Sequence, residues 1–575
     1  MTEAGTQLKR SYATWLDWLT ISETQRFLIL SIFIGIFAGL MVVCFHIAIE
    51  FISWYSLGSF TGRYNLVRLI APAVGGLVAA FLVLRVFRAA QGSGVNQTKA
   101  ALYIYDGHVP FSTVLGKFLA CSTAIGSGNS LGPEDPALQM GAGVASLLGR
   151  IFHLPRENMR LIAPVGAAAG IAAAFNTPIT GVLFVMEEVV AGWSAAVVGS
   201  IVLAAVSAVV VVRWFLGNEP LFRVPHLEYV APSDLIVYAA IGIAGGLLSA
   251  LFIHLVERLH ERVEHLPSWT KYARPVAAGL VVGIVGLWFP EVMGAGYGTI
   301  DNALHNRFLW DTLLALGLLK MMVTLFCFSA GTPGGMFAPT LFTGAMVGGG
   351  LGALALRYWP FPGGSTEAYV LVGMGTFFAG VFRAPMTSIF MVFEVSASYV
   401  IILPVMIANT VAYFISRSLH PVPFFTMLAR QEGVDLPSAE ERRTTAILRV
   451  EDAMQSPEIV PSGGTTVADA LAYVQKLGQE WSLVSREYKG WSYIRLPELE
   501  AAVEAGKQEQ TLRNVFPLPL APRIYPDLAL DTALRLLGSC PILPVTNRAH
   551  PDQLVGSLTL EDVHKAYGIE PRTAK

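Results

Sequence analysis

Three stretches of the chain, Phe27 to Ile49, Val189 to Val212 and Leu235 to Val256, contain no Asp, Glu, Lys or Arg. Each is long enough to cross the hydrocarbon of a bilayer, which takes about 20 apolar residues. Lipid offers no partner to backbone N–H and C=O groups, so such segments must satisfy them internally, as helices. An all-α polytopic membrane protein is therefore predicted from about Phe27 to Arg430. Composition agrees, with 54% hydrophobic against 14% charged residues, far from the average of a soluble chain. The net charge of -2 sums two unlike parts and identifies no partner; the lipid bilayer is expected as one, nucleic acid is not.

The amino-terminal segment, residues 1–26, is too polar, and turns apolar too late, for a secretory signal. Lys9, Arg10 and Arg26 precede the first span and place this end in the cytoplasm by the positive-inside rule. After Ala429 the chain turns charged and polar, and nothing beyond it is apolar enough to span a bilayer. Residues 431–445 read as a linker and 446–575 as a soluble α/β domain, cytoplasmic if the number of crossings is even. Cys44, Cys121, Cys327 and Cys540 are scattered, with no CxxC spacing, so neither a metal site nor redox chemistry is expected.

Many of the apolar helices are short and interrupted by Gly or Pro. Broken helices at membrane depth are tolerated only where they face protein or a water-filled cavity. Three breaks stand out: GSGVN at 92–96, GPEDP at 132–136 and GTPGGMFAP at 331–339. In the second, Glu134 and Asp135 would each cost about 3 kcal/mol at the centre of a bilayer. Pro136 is well placed to start a helix, and helix starts offer free N–H groups at a partly positive end. A carboxylate there occupies the anion's place when ionised and leaves it when protonated.

The chain repeats itself. PALQMGAGV from Pro136 matches PTLFTGAMV from Pro339, and FNTPITGVLFVMEE from Phe175 matches FRAPMTSIFMVFEV from Phe382, at offsets of 203 and 207 residues. Two related halves whose broken helices meet at mid-membrane form the plan of secondary transporters and channels. Within the second match Glu187 and Glu394 are shared, whereas Glu188 faces Val395. The shared glutamate reads as structural, the unshared one as functional.

These residues resemble the CLC family of chloride channels and chloride/proton antiporters, whose signatures GSGxP, G[K/R]EGP and GxFxP occur in this order. Here they stand as GSGVN, GPEDP and GMFAP, each at a predicted helix start. The resemblance implies an inverted repeat of tilted helices and a homodimer in which each subunit has its own anion pathway. It makes Ser93 and Gly94, and the backbone of Met336 and Phe337, anion-binding, with Glu134 as the gate and Glu188 as the internal proton-transfer residue. Phe424 falls where the family has a tyrosine that faces the central anion, so one hydroxyl donor is missing. Asp135 replaces a glycine, Pro133 a basic residue and Asn96 a proline.

The tail resembles a pair of CBS (cystathionine-beta-synthase-type) domains. VEDAM at 450–454 and VADALAYV at 467–474 match the start of a first module, and DTALRLL, CPILPVTN and LVGSLTLEDV most of a second. Thr559 and Asp562 match the TxxD with which some such modules hold a nucleotide ribose. An adenine nucleotide there is one reading, a plain dimerising scaffold the other. Otherwise no cofactor is expected. The chain contains no GxxxxGK[ST] or HExxH motif, so an enzyme is not expected. The function implied is chloride/proton antiport, with a passive chloride channel on the same fold as the alternative.

Overall fold

The computed structural model describes residues 22–58, 66–190, 195–218, 220–225, 234–358, 364–434, 436, 448–456, 460–477, 480–486, 490–548 and 553–567. The expectations for residues 1–21 and for most of the linker at 431–445 lie outside them. The chain divides into two compact units, Met1–Ala439 and Glu440–Lys575.

Among the described residues, every regular element of the first unit is a helix. Its first half runs α1 (Glu23–Leu57), α2 (Leu66–Phe81), α3 (Gly94–Tyr103), α4 (Phe111–Gly126), α5 (Glu134–Ile151), α6 (Arg156–Phe175), α7 (Pro178–Phe184) and α8 (Ala195–Leu216). Its second half runs α9 (Leu235–Glu264), α10 (Ala273–Trp288), α11 (Tyr297–Leu304), α12 (Trp310–Ser329), α13 (Phe337–Tyr358), α14 (Thr366–Phe382), α15 (Pro385–Ser396) and α16 (Ile402–Leu419), followed by α17 (Phe424–Gln431). Eight helices among the described residues are long and apolar enough to cross a membrane. The protein is an integral, multi-pass membrane protein.

Of the uncharged stretch Val189 to Val212, Val189 and Val190 lie in a π-helical segment, Val185–Val190, that continues α7, and residues 195–212 lie in α8. One expectation is corrected. The helix expected from Pro136 begins two residues earlier, with Pro133 at its N-cap. Proline is tolerated throughout the first turn because those N–H groups have no helical partner, so Glu134 and Asp135 are part of the helix rather than ahead of it.

The repeat recurs in the packing. Gly132 and Gly335 exchange backbone hydrogen bonds of 2.7 and 2.8 Å in an antiparallel bridge that joins the two halves where α5 and α13 begin. A Cβ on Gly141 of α5 would fall 2.2 Å from the Gly166 carbonyl oxygen of α6, and one on the matching Gly344 of α13 falls 2.3 Å from that of Gly373 on α14. Asn176 and Arg383, which end α6 and α14, share a left-handed φ of 57°. Glu187 accepts from the Thr387 N–H (3.0 Å) and hydroxyl (2.8 Å) at the start of α15, and Glu394 accepts from the Thr180 N–H (2.7 Å) and hydroxyl (2.6 Å) at the start of α7. The glutamate shared by the two matches is thus a reciprocal helix cap.

The second unit contains α18 (Val450–Ala453), α19 (Val467–Leu477), β1 (Trp481–Ser485), β2 (Trp491–Arg495), α20 (Leu496–Glu504), α21 (Leu512–Val515), α22 (Leu530–Leu537), β3 (Ile542–Thr546), β4 (Leu554–Thr559) and α23 (Leu560–Ala566). Its order α–β–β–α occurs twice. β1 pairs antiparallel with β2, with Leu483 opposite Tyr493, and β3 with β4, with Leu543 opposite Leu558. Each module has its own core, one around Val467, Val484, Ile494 and Leu499, the other around Leu530, Leu543, Val545 and Leu558. The segment read as the start of the first module packs in the second: Val450 and Ala453 belong to the latter core, and Gln455 pairs with Ser557 of β4. Apolar spacing shows that Val450 and Ala453 are buried without showing which module buries them.

Candidate ion-transport site

All three broken motifs lie at helix starts. Ser93 is the N-cap of α3, in extended conformation, and its side chain does not cap its own helix. The group that does is Asp135, from the first turn of α5. Its Oδ2 accepts from the Gly94 N–H at 2.8 Å, and its Oδ1 from the Val95 N–H at 3.0 Å and the Ser93 hydroxyl at 3.2 Å. A helix start is a ready anion site, and here the anion is part of the chain. Gly94 permits the approach, since a Cβ there would lie 2.3 Å from the Asp135 carbonyl oxygen.

Glu134 points to the other half of the repeat. Fully buried, it accepts from the Ala338 N–H in the first turn of α13 at 3.4 Å, and Tyr297, which begins α11, donates its hydroxyl to the other oxygen. A Cβ at Gly132 would meet that carboxylate at 2.3 Å, so glycine is what leaves the Glu134 side chain room. Neighbouring carboxylates on one helix therefore serve two different helix ends, Asp135 that of α3 and Glu134 that of α13.

Between these ends lies a small cavity lined by Ser93, Asp135, Met336, Phe337, Phe424 and Phe425, among others. Ser93, Met336, Phe337 and Phe424, singled out from the sequence, are thus brought together, while Gly94 presents its N–H to Asp135. Much of the lining is aromatic. Phe337 stacks on Phe382 with centroids 4.7 Å apart, and Phe382 stacks on Phe425 at 5.3 Å. Ser93 also lines a wider vestibule of about 680 Å³, to which Lys117, Lys271 and Arg274 contribute as well as Glu264 and Glu432. Asn96, where proline was expected, donates its side-chain amide to the Phe425 carbonyl at 3.0 Å and so ties α3 to α17.

Glu188 lies in the π-helical segment, a feature frequent at functional sites. It is buried and forms an ion pair with Lys99 of α3, itself 3% exposed. The Tyr103 hydroxyl donates to the Val189 and Val190 carbonyls at 2.9 Å and holds the end of that segment. The Lys99 ammonium is 5.7 Å from the centre of the Phe425 ring, so the pair sits beside the wall of the central cavity. In the second unit, Thr559 and Asp562 cap α23 together. The Thr559 N–H and hydroxyl donate to Asp562 Oδ2 at 2.9 and 2.6 Å, and Gln455 donates to Oδ1 at 2.8 Å.

Sequence reasoning passed over Lys99, Tyr297 and Lys320. Lys320 is fully buried in α12 and donates to the Val292 and Gly294 carbonyls at 2.9 and 2.6 Å. Both lysines carried a usable signal, because an ionisable group inside an apolar helix is functional or structural by default. Tyr297 carried none.

Residues 75–417 match the model of a protein family described as voltage gated chloride channel. A protein of Ralstonia nicotianae named "Putative chloride channel protein ClcB-like" is 32% identical over 397 residues, 66% of this chain and 91% of its own. The "H(+)/Cl(-) exchange transporter ClcA" of Vibrio cholerae is 30% identical over 417 residues, 70% of this chain and 88% of its own. Among solved structures, a slow cyanobacterial Cl-/H+ antiporter superposes with a TM-score of 0.66 at 24% identity, over 72% of this chain and 98% of its own. Paired helix starts from two related halves, a buried glutamate at one of them and a match across most of the membrane unit place this chain in the CLC family of voltage-gated chloride channels and transporters.

Proposed function

We propose that this protein exchanges chloride for protons across its membrane, with Glu134 as the gate and Glu188 as the internal proton-transfer residue. The observation that carries this reading is the Glu134 carboxylate, buried against the Ala338 N–H at the head of a helix from the opposite half. There it and a chloride ion compete for one set of donors, and only its neutral form gives way without leaving a bare buried charge. Ser93, Gly94, Met336, Phe337 and Phe424 are assigned to the anion's path. Glu188, beside the cavity wall and paired with Lys99, is the second proton station. The family resemblance further supports a homodimer with one pathway per copy; Arg26 in the first turn of α1 supports a cytoplasmic amino terminus, and an even number of crossings puts the carboxy terminus on the same side.

The test is transport by the full chain in sealed vesicles. An imposed chloride gradient is expected to drive protons uphill. Glu134→Gln should abolish proton movement, and Glu188→Gln should slow protons by at least tenfold more than chloride. The passive-channel reading draws on the phenylalanine lining of the cavity, where no hydroxyl from α17 faces the ion; chloride flux with no coupled proton movement would establish it instead.

In the tail we propose a CBS-type pair serving as a dimerising scaffold. The support is the doubled α–β–β–α order and the engagement of both Asp562 oxygens within the chain. A rise in the melting temperature of the full chain with millimolar ATP, ADP or AMP, lost in Asp562→Ala, would favour the nucleotide reading instead.

A further inference from the structure

Resting on the anion-transport reading, the geometry points to Asp135 as a tethered competitor of the transported anion, holding the Ser93, Gly94 and Val95 donors that a chloride ion in the central cavity would otherwise use. Three observations converge on it. First, the carboxylate is 5% exposed and takes three hydrogen bonds from the N-cap hydroxyl and first two amides of α3. Bonds of this charge-assisted kind are about twice as strong as neutral ones. Second, among the described residues no Lys, Arg or His nitrogen forms an ion pair with Asp135 within 4.0 Å. Its charge is met by the helix end and the hydroxyl alone, the same means by which a free anion would be held. Third, Asp135 faces the cavity lined by Ser93, Met336 and Phe337, so the carboxylate and a permeating anion contend for one space.

A chloride ion entering this cavity finds the donors of α3 engaged and a like charge beside it. It gains the Ser93 hydroxyl and the two amides only when Asp135 releases them. Together Glu134 and Asp135 set a carboxylate against each of the two helix starts, α13 and α3, that frame the path. Central chloride occupancy is therefore low in the protein as it stands, and removing the Asp135 charge raises it.

The experiment measures chloride binding by titration calorimetry on the purified full chain, alongside chloride uptake into vesicles, for the wild type, Asp135→Gly and Asp135→Asn. Asp135→Gly is expected to bind chloride at least tenfold more tightly than the wild type. Asp135→Asn keeps the size and one capping oxygen of the side chain, folds even if the glycine variant does not, and is expected to bind at least threefold more tightly. Loss of a merely structural contact would weaken binding, so the direction of the change discriminates. Unchanged or weaker affinity in Asp135→Asn, in a protein that still transports chloride, overturns this inference and leaves the transport reading standing. A wild type that moves no chloride overturns the transport reading itself.

Discussion

A buried charge must be answered by an opposite charge or by hydrogen-bonding dipoles, and Lys99 with Glu188 is the plainest case of the first in this molecule. Both are almost fully buried, and they meet across 89 residues of sequence. Removing one member of such a pair leaves its partner uncompensated, at about 3–5 kcal/mol, whereas replacing both is often close to neutral. Lys99→Met and Glu188→Gln should each lower the melting temperature of the detergent-solubilised protein, and the double variant should recover most of the loss. Simple addition of the two losses would mean that the pair does not act as one unit. At this scale the sequence was legible wherever a motif carried the information. Ser93, Glu134, Met336 and Phe337 are grouped by helix starts that Gly and Pro announce. Asp135 was visible as a departure from the family pattern, but its aim toward Ser93 was not, because a side chain's direction depends on how α3 and α5 pack. The partner of Glu188 and the tyrosine at Glu134 lie 89 and 163 residues away, and no local pattern links them.

Helix ends and close helix crossings hold the two halves together. Glu187 and Glu394 each bridge to the opposite half, and the threonines they cap, Thr387 and Thr180, are buried. Losing one carboxylate leaves buried donors unsatisfied, at about 1–3 kcal/mol per group. Glu187→Ala and Glu394→Ala should therefore destabilise the protein to a similar extent, read as matched falls in melting temperature. A large loss in one and none in the other would break the reciprocity. Their pairing could be anticipated, since the two aligned matches share this glutamate and a Pro-x-Thr helix start. The contacts at Gly141 and Gly344 follow the same alignment. Element boundaries were harder: before Pro136 the proline marked the first turn rather than the first residue. Proline is tolerated wherever an N–H has no helical partner, which holds for the whole first turn and so does not single out its first position.

The two units have separate cores, and so their stabilities should be separable. The membrane unit's apolar cluster runs from Phe27 to Leu428, and among the described residues neither cluster of the tail includes any residue before Leu448. A chain truncated after Val434 should accordingly still insert and carry chloride in vesicles. Within the tail the second module borrows its amino-terminal edge: the Val450 N–H donates to the Leu528 carbonyl at 2.9 Å, and its side chain is fully buried against the Leu530 and Leu543 core. A charge at that position has no partner there and costs several kcal/mol, more than a small module with one apolar cluster can absorb. Val450→Asp should hence speed hydrogen exchange across residues 530–566, while residues 467–504, packed on their own cluster, keep their protection. Simultaneous opening of both modules would show instead that the tail unfolds as one cooperative body, with Tyr493 of β2, which packs on the second module's core, as the contact that couples them.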